Sequence, residues 1–169
     1  MTVVSVDKDL EELTLVLVAE FAAPVERVWQ LWADPRQLER WWGPPDFPST
    51  VERHELSPGG TVSYTMVGPA GETSRGWWQV RTVDPPRSLE FTDGFADASG
   101  APNPAMPTTE ARVRLAEHDG GTRMVLRFRF DSVKRMKQLE QWGAFEVFPQ
   151  SVAQMDAVLA DENPPQEAP

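Results

Sequence analysis

The clearest alternation of apolar and polar positions lies in two segments of the C-terminal half, 108–117 and 122–130. Alternation with a period of two predicts two half-buried strands, and Asp119-Gly120-Gly121 between them predicts a hairpin turn. If the apolar side chains are to share one face, odd positions of one strand must oppose even positions of the other, so the turn needs an even number of residues. The other face then carries four arginines: Arg112, Arg114, Arg127 and Arg129.

Shorter strand patterns occupy much of the chain before this hairpin. Runs of β-branched and apolar residues, separated by turns rich in Gly, Pro and Asp, predict strands at 13–21, 50–56, 61–67, 76–83 and 88–92. The polar, proline-rich segment 93–107 predicts a loop of unusual length for a compact domain. Such a loop indicates a functional or mobile segment.

Two short helices are predicted between the first two strands. Pro24 suits a first helical turn, and apolar residues follow it at helical spacing until Asp34-Pro35 ends the helix. A second helix stops at Gly43, directly after Trp41 and Trp42. The sequence therefore places two bulky indoles at a tight bend, and core packing is the expectation for each.

The last part of the chain has two helical patterns. Asp131 or Ser132 can cap a helix that runs to Trp142 and stops at Gly143. Pro149 lies inside the second pattern, so we expect a kink there or a helix that begins near it. The second helix carries an apolar stripe at spacings of three and four: Phe145, Phe148, Val152, Met155 and Leu159.

The order of these elements is one strand, two short helices, six strands and a long helix. It predicts an α+β fold in which a curved antiparallel sheet wraps around the long C-terminal helix. A chain of 169 residues is enough for one such domain, which we assign to residues 1–160. Residues 161–169 are predicted to form a disordered tail.

Composition narrows the classes of function. The net charge of −10 disfavours nucleic acid and anionic membrane surfaces as partners, and no apolar run is long enough for insertion into a membrane. Cysteine is absent, which excludes disulfides and thiolate chemistry. The N-terminal segment is acidic rather than signal-like, which predicts a cytoplasmic protein. Seven Trp and eight Phe against one Tyr predict aromatic walls with few polar groups.

Several motifs in a fixed order give the chain a family resemblance. They are F-x-A-P-x-E-x-V-W at 21–29, W-W-G-P at 41–44, P-G-G at 58–60, D-P-P at 84–86 and the loop at 93–107. With these motifs the chain resembles the activator of heat-shock chaperone ATPase homologue family of the START-like (SRPBCC) superfamily. The resemblance implies the helix-grip fold. It also implies a cavity between sheet and helix that holds apolar molecules such as lipids, polyketides or hormones.

The inward register of the strands and the stripe of the last helix supply the candidate ligand-binding residues. They are Tyr64, Met66, Trp78, Phe91, Leu126 and Phe128 from the sheet, and Phe145, Phe148, Val152 and Met155 from the helix. Tyr64 is the most distinctive, because a buried phenol needs a hydrogen-bond partner, which a ligand or water could supply. The main expectation is therefore binding of an apolar, ring-containing small molecule without a cofactor.

Two other classes of function stay open. The four arginines of the outer face could dock an acidic protein partner, as in a chaperone-accessory module of the stress response. A cyclase- or hydrolase-type enzyme is the other possibility. Glu52 and His54, two positions apart on one strand, are candidates for acid–base work or metal binding. No further metal-ligand spacing or nucleophile motif accompanies them, so the sequence assigns no catalytic residue and no metal ligand.

Overall fold

The computed structural model describes residues 3–161, and this part of the chain forms eight strands and five helices. The strands are β1 (Val3–Asp9), β2 (Thr14–Phe21), β3 (Ser49–His54), β4 (Thr61–Val67), β5 (Thr73–Asp84), β6 (Ser88–Phe95), β7 (Thr108–His118) and β8 (Gly121–Phe130). The helices are α1 (Val25–Ala33), α2 (Pro35–Trp41), α3 (Val133–Gln141), α4 (Ala144–Ala153) and α5 (Met155–Ala160). The tail predicted at 161–169 lies outside the described residues, apart from Asp161.

The strands form one antiparallel sheet in the order β1-β2-β8-β7-β6-β5-β4-β3. The predicted α+β fold is therefore confirmed, with a curved sheet and helices at the C-terminal end. Strand β1 was not predicted from the sequence, and it pairs with β2 from Val3 opposite Ala19 to Asp9 opposite Thr14. Most residues of β1 are exposed, so this edge strand lacks the alternation that marks the others.

In the β7–β8 hairpin, odd positions oppose even ones, as predicted. His118 pairs with Gly121, which leaves Asp119 and Gly120 as a two-residue turn. Both turn residues have positive φ angles, 49° and 79°, as this class of hairpin turn requires. Val113 and Leu115 consequently face Leu126 and Met124, and all four side chains are buried.

The shorter helices begin and end near the predicted signals. Asp34 separates α1 from α2, and its carboxylate accepts a hydrogen bond from the backbone N–H of Arg36. Ser132, rather than Asp131, caps α3, because its hydroxyl accepts from the backbone N–H of Arg135 at 3.1 Å. No helix within residues 3–161 is both long and apolar enough to span a membrane.

The apolar stripe of the C-terminal segment packs on the inner face of the sheet, as predicted. Phe148 of α4 stacks on Phe128 of β8, with ring centroids 4.2 Å apart and planes 12° apart. Phe145 packs on Phe130 at a centroid distance of 5.6 Å. These contacts place α4 over the inner face, with β1 and β2 at one side of it.

The predicted long helix is divided into α4 and α5. The division falls at Gln154, five residues after Pro149, and α4 continues through the proline. The Gln154 side-chain amide donates to the carbonyl oxygens of Trp41 at 3.3 Å and Gly43 at 2.7 Å. These two hydrogen bonds tie the helix break to the tryptophan-containing bend that follows α2.

Candidate functional site

A cavity of about 330 Å³ lies between the inner face of the sheet, the bend after α2 and the helix α4. The structure places six of the residues predicted from the sequence on its wall. From the sheet these are Tyr64, Met66, Leu126 and Phe128, and from α4 they are Phe148 and Val152. Strand register accounts for this agreement, because a period of two fixes which side chains face inward.

The structure places the other four predicted residues in the packed core. Trp78 and Phe91 stack on each other at 3.9 Å with planes 18° apart, and both are at most 1% exposed. The indole of Trp42 covers them, with its ring 4.9 Å from that of Trp78. Phe145 packs on Phe130 instead, and Met155 is fully buried in α5, after the helix break. None of these four residues lines the cavity.

The bend after α2 supplies one wall of the cavity, although core packing was the expectation for its two tryptophans. Trp41, Trp42 and Phe47 line the cavity together with Gly43, whose φ of 115° turns the chain at this point. A glycine between bulky aromatics is the sequence signal for such a turn. The tryptophan bend therefore forms part of the site.

The long loop and the end of α3 close another side of the cavity. Phe95 and Trp142 meet edge to face at a centroid distance of 6.0 Å, and both line the cavity. Trp142 is 49% exposed, so this aromatic pair lies where the cavity approaches solvent. Neither residue was predicted to line the site.

The Tyr64 hydroxyl finds its hydrogen-bond partner within the protein. It donates to Oδ1 of Asp93 at 2.8 Å. The phenol reaches β6 by crossing Gly76 of β5, where an added Cβ would lie 2.3 Å from the phenol oxygen. Glycine is required at this close approach. Tyr64 and Asp93 both line the cavity, so the pair forms a polar point on its wall.

Asp93 was missed because the predicted strand stopped at Thr92, before a segment rich in turn residues. β6 in fact continues to Phe95. The period of two that buries Leu89 and Phe91 then turns Asp93 toward the same inner face, opposite Trp78 on β5 and Thr109 on β7. The alternation of the preceding positions was the available signal.

Burial raises the pKa of the Asp93 carboxyl from 3.8 to about 7, although the hydrogen bond from Tyr64 partly opposes this rise. Burial and the nearby Asp93 charge raise the pKa of Tyr64 well above 10. Tyr64 therefore stays a neutral donor at physiological pH, whereas Asp93 changes its charge there. The solvent-exposed fraction of Asp93 is intermediate, which is consistent with a carboxyl that faces a cavity.

Three hydroxyl groups add to the polar surface of the wall. Ser74, Thr109 and Ser151 line the cavity, and Thr109 lies directly across from Asp93 on the neighbouring strand. Thr109 and Ser151 are each 5% exposed. The remaining wall is dominated by aromatic and aliphatic groups, so the cavity suits an apolar molecule with one polar end.

Glu52 and His54 do not form the predicted pair. A register shift in β3 between Val51 and Arg53 puts Glu52 in a bulge, and its carboxylate accepts from the Thr65 hydroxyl at 2.9 Å. His54 instead has its Nε2 3.1 Å from the carbonyl oxygen of Trp32. The bulge breaks the rule that residues two apart share a face. Among the described residues, no group of three or more potential metal ligands occurs.

The four arginines lie on the outer face of the sheet, as predicted, and we call them the arginine face. Arg112 and Arg127 are direct neighbours across β7 and β8, and Arg129 lies opposite Glu110. Glu110 forms its ion pair with Arg81. Within residues 3–161, none of the four arginines takes part in an ion pair.

Comparison with known proteins agrees with this architecture. A family model described as "Activator of Hsp90 ATPase homolog 1-like protein" matches residues 22–160. A search of curated proteins gave no match.

Solved structures from several bacteria have the same fold. A crystal structure of a Mycobacterium smegmatis protein is 45% identical, with a TM-score of 0.87, over 96% of this chain and 99% of that one. A solution structure of an Arthrobacter aurescens protein is 49% identical, with a TM-score of 0.91, over 96% and 94% of the two chains. A Staphylococcus epidermidis protein, 20% identical with a TM-score of 0.81 over 98% and 99%, shows the fold alone.

Proposed function

The chain belongs to the Activator of Hsp90 ATPase homolog 1-like protein family, and we propose that it binds an apolar small molecule in the cavity between the sheet and α4. The resemblance predicted from the motifs is confirmed at the level of the family and the fold. A lipid, a polyketide or an aromatic metabolite is the class of ligand proposed.

The observation that carries this proposal is a largely apolar space of ligand size between the sheet and α4. Its volume of about 330 Å³ lies at the lower end of the range for small-molecule sites, roughly 300–1,000 Å³. The cavity approaches solvent beside Trp142, so water can fill it when no ligand is bound. An apolar ligand that displaces this water gains from the burial of apolar surface.

The shape of the wall favours a ring-containing ligand. The stacked pair of Phe128 and Phe148 and the edge-to-face pair of Phe95 and Trp142 offer aromatic surfaces on two sides of the cavity. Aromatic rings gain from offset or edge contacts beyond the area that they bury. A flat or ring-bearing molecule can use both surfaces.

Filling the cavity with a side chain tests the proposal. Ser151 lines the cavity from α4, so Ser151→Phe would occupy part of the space that a ligand needs. Gln150 is the next residue on the same helix and is exposed, so Gln150→Phe adds the same ring outside the cavity. We expect ligands found by native mass spectrometry and thermal-shift screening to bind the wild type and Gln150→Phe, and to lose binding to Ser151→Phe. Equal binding by all three proteins would contradict a site in this cavity.

The arginine face supports a second candidate function, docking of an acidic protein partner of the chaperone type. Arg112 and Arg127 lie directly opposite each other, and like charges at such a position destabilise a sheet unless an anion relieves them. Glu90 lies opposite Arg112 on β6 and offsets part of this charge, but it forms no ion pair with Arg112. An acidic surface on a partner would supply that anion. The specific observation is the lack of an ion pair at any of the four arginines within residues 3–161.

Charge reversal tests this second candidate. The double variant Arg114→Glu/Arg127→Glu should abolish binding to the purified partner and leave the melting temperature nearly unchanged. Lys137→Glu, at an exposed position of α3, is the control for a change of net charge and should retain binding. Binding that survives the arginine reversals, or that does not weaken with added salt, would contradict docking at this face.

A further inference from the structure

We propose that the cavity selects apolar ligands that carry a protonated amine, with the carboxylate of Asp93 as the anion that receives it. This inference rests on the proposed function, because it names the class of ligand for the same cavity. Its basis is an acidic side chain on the cavity wall that the surrounding protein pairs incompletely.

The two carboxyl oxygens of Asp93 have different surroundings. Oδ1 accepts the hydrogen bond from Tyr64 at 2.8 Å, whereas Oδ2 receives none from residues 3–161. The side chains facing Asp93 are Tyr64 from β4, Trp78 from β5 and Thr109 from β7, and Tyr64 alone among these titrates. Arg75 of β5 also lines the cavity, but its guanidinium donates to the hydroxyl of Thr65, its neighbour on β4, at 3.3 Å. Burial and the Tyr64 hydrogen bond govern the pKa of Asp93, with no contribution from a cationic side chain. One acceptor therefore remains available to a ligand.

An ionised carboxylate with a single hydrogen bond among apolar walls is costly, and a positive charge beside it lowers that cost. An ammonium group supplies this charge together with three N–H donors. The neighbouring Thr109 hydroxyl can accept one of these hydrogen bonds. The rings of Trp42 and Tyr64, whose centroids are 6.0 Å apart, add aromatic surface that attracts a cation.

The charge of the protein selects against the common anionic lipids. A fatty-acid carboxylate at this position would face Asp93, and it would approach a chain whose net charge is −10. A neutral alcohol avoids this repulsion, but its hydroxyl donates a weaker hydrogen bond to Asp93 than an ammonium group does. Ligands with the same apolar body should therefore bind in the order amine, alcohol, acid.

The titration of Asp93 gives this selectivity a characteristic pH dependence. Because the pKa of the Asp93 carboxyl is about 7 in the folded protein without a ligand, Asp93 is mostly ionised at pH 8 and mostly protonated at pH 6. An alkylamine stays protonated throughout this range, as a lysine does. The affinity for an amine should consequently be about tenfold lower at pH 6 than at pH 8, whereas the affinity for an alcohol should change little.

A matched series of probes tests the inference. Phenylbutylamine, phenylbutanol and phenylbutyrate share one apolar body and differ only in the polar end. Isothermal titration calorimetry of the full-length wild type at pH 8 should show the amine binding about tenfold or more tighter than the alcohol, and the acid weakest, since hydrogen bonds to charged groups are the stronger ones.

Two substitutions separate contact with Asp93 from the general charge of the protein. Asp93→Asn keeps the size of the side chain and an acceptor for Tyr64, and it should abolish the preference for amine over alcohol. Asp46→Asn removes one charge at an exposed position next to Phe47 of the cavity wall, and it should leave the preference intact. If Asp93→Asn fails to fold, the pH dependence of amine binding to the wild type still tests whether the amine contacts Asp93.

The outcomes distinguish this inference from the proposed function. Failure of all three probes to bind would overturn both. Binding of the alcohol as tightly as the amine, or an amine affinity equal at pH 6 and pH 8, would overturn the role of Asp93 and leave an apolar ligand site standing. Loss of the amine preference in Asp46→Asn as well would show a long-range charge effect and would also overturn the anchoring role.

Discussion

The free energy of unfolding of Asp93→Asn should exceed that of the wild type, and this difference should be much larger at pH 8 than at pH 5. The pKa of the carboxyl is about 7 in the folded protein and 3.8 without its surroundings. Between these two values the folded protein holds a proton that the unfolded chain has released. The free energy of unfolding of the wild type therefore falls as the pH rises through this window, and asparagine removes the effect.

The size of the effect follows from the two pKa values. Each unit of pKa difference corresponds to about 1.36 kcal/mol, and the fall continues until the folded carboxyl itself ionises near pH 7. From pH 5 to pH 8 the wild type should lose about 2–3 kcal/mol relative to Asp93→Asn. This is a large fraction of the stability of a typical domain, about 5–15 kcal/mol.

Urea denaturation followed by circular dichroism at pH 5, 6, 7 and 8 would measure this difference. Asp46→Asn is the control, because it removes one carboxyl from an exposed position and should give a curve parallel to that of the wild type. Parallel curves for the wild type and Asp93→Asn would refute the reasoning. They would mean that water hydrates the Asp93 carboxyl as well in the folded protein as in the unfolded chain.

Three further predictions concern contacts that position the site. Gly76→Ala places a methyl group against the Tyr64 ring, so it should lower the free energy of unfolding by about 1–3 kcal/mol, and by less in a Tyr64→Leu background, as a double-mutant cycle by urea denaturation would show. Ser132→Ala removes the cap of α3 and should cost about 1 kcal/mol in the same assay. Gln154→Ala removes the hydrogen bonds that tie the helix break to the bend after α2, so it should cost about 1–2 kcal/mol, whereas Gln150→Ala at an exposed position should cost little.

The fold was largely predictable because most strands have one buried face and one solvent-exposed face. In the β7–β8 hairpin, the apolar positions around Val113 and Leu126 require a turn with an even number of residues, which excludes a slip by one residue. β1 was not predictable in this way, since its exposed residues have no alternation and its strand conformation depends on pairing with β2. The division at Gln154 likewise depends on a tertiary contact, the hydrogen bond to the Gly43 carbonyl.

The sequence predicted which residues face the inner side of the sheet, but not which of them line the cavity. Strand parity identifies Trp78 and Phe128 equally as inward residues, but only the three-dimensional position of the Trp42 indole decides that Trp78 is covered and Phe128 is not. Asp93 was missed because local turn signals outweighed the alternation of its own strand. Its partner Tyr64 comes from a strand that is not adjacent to β6, so only the folded sheet brings the two together.

The cost that Asp93 imposes on folding and the free energy that an amine would gain have one physical origin. An ionised carboxyl in the cavity destabilises the folded protein because its charge lacks a partner, and a bound ammonium supplies that partner. At pH 8, a fixed concentration of phenylbutylamine should therefore raise the free energy of unfolding of the wild type more than that of Asp93→Asn. At pH 5, where the carboxyl is protonated, it should stabilise no more than phenylbutanol does. Equal stabilisation by the amine at both pH values would mean that the amine does not bind the ionised Asp93 carboxyl. Asp93 would then have a role in structure alone.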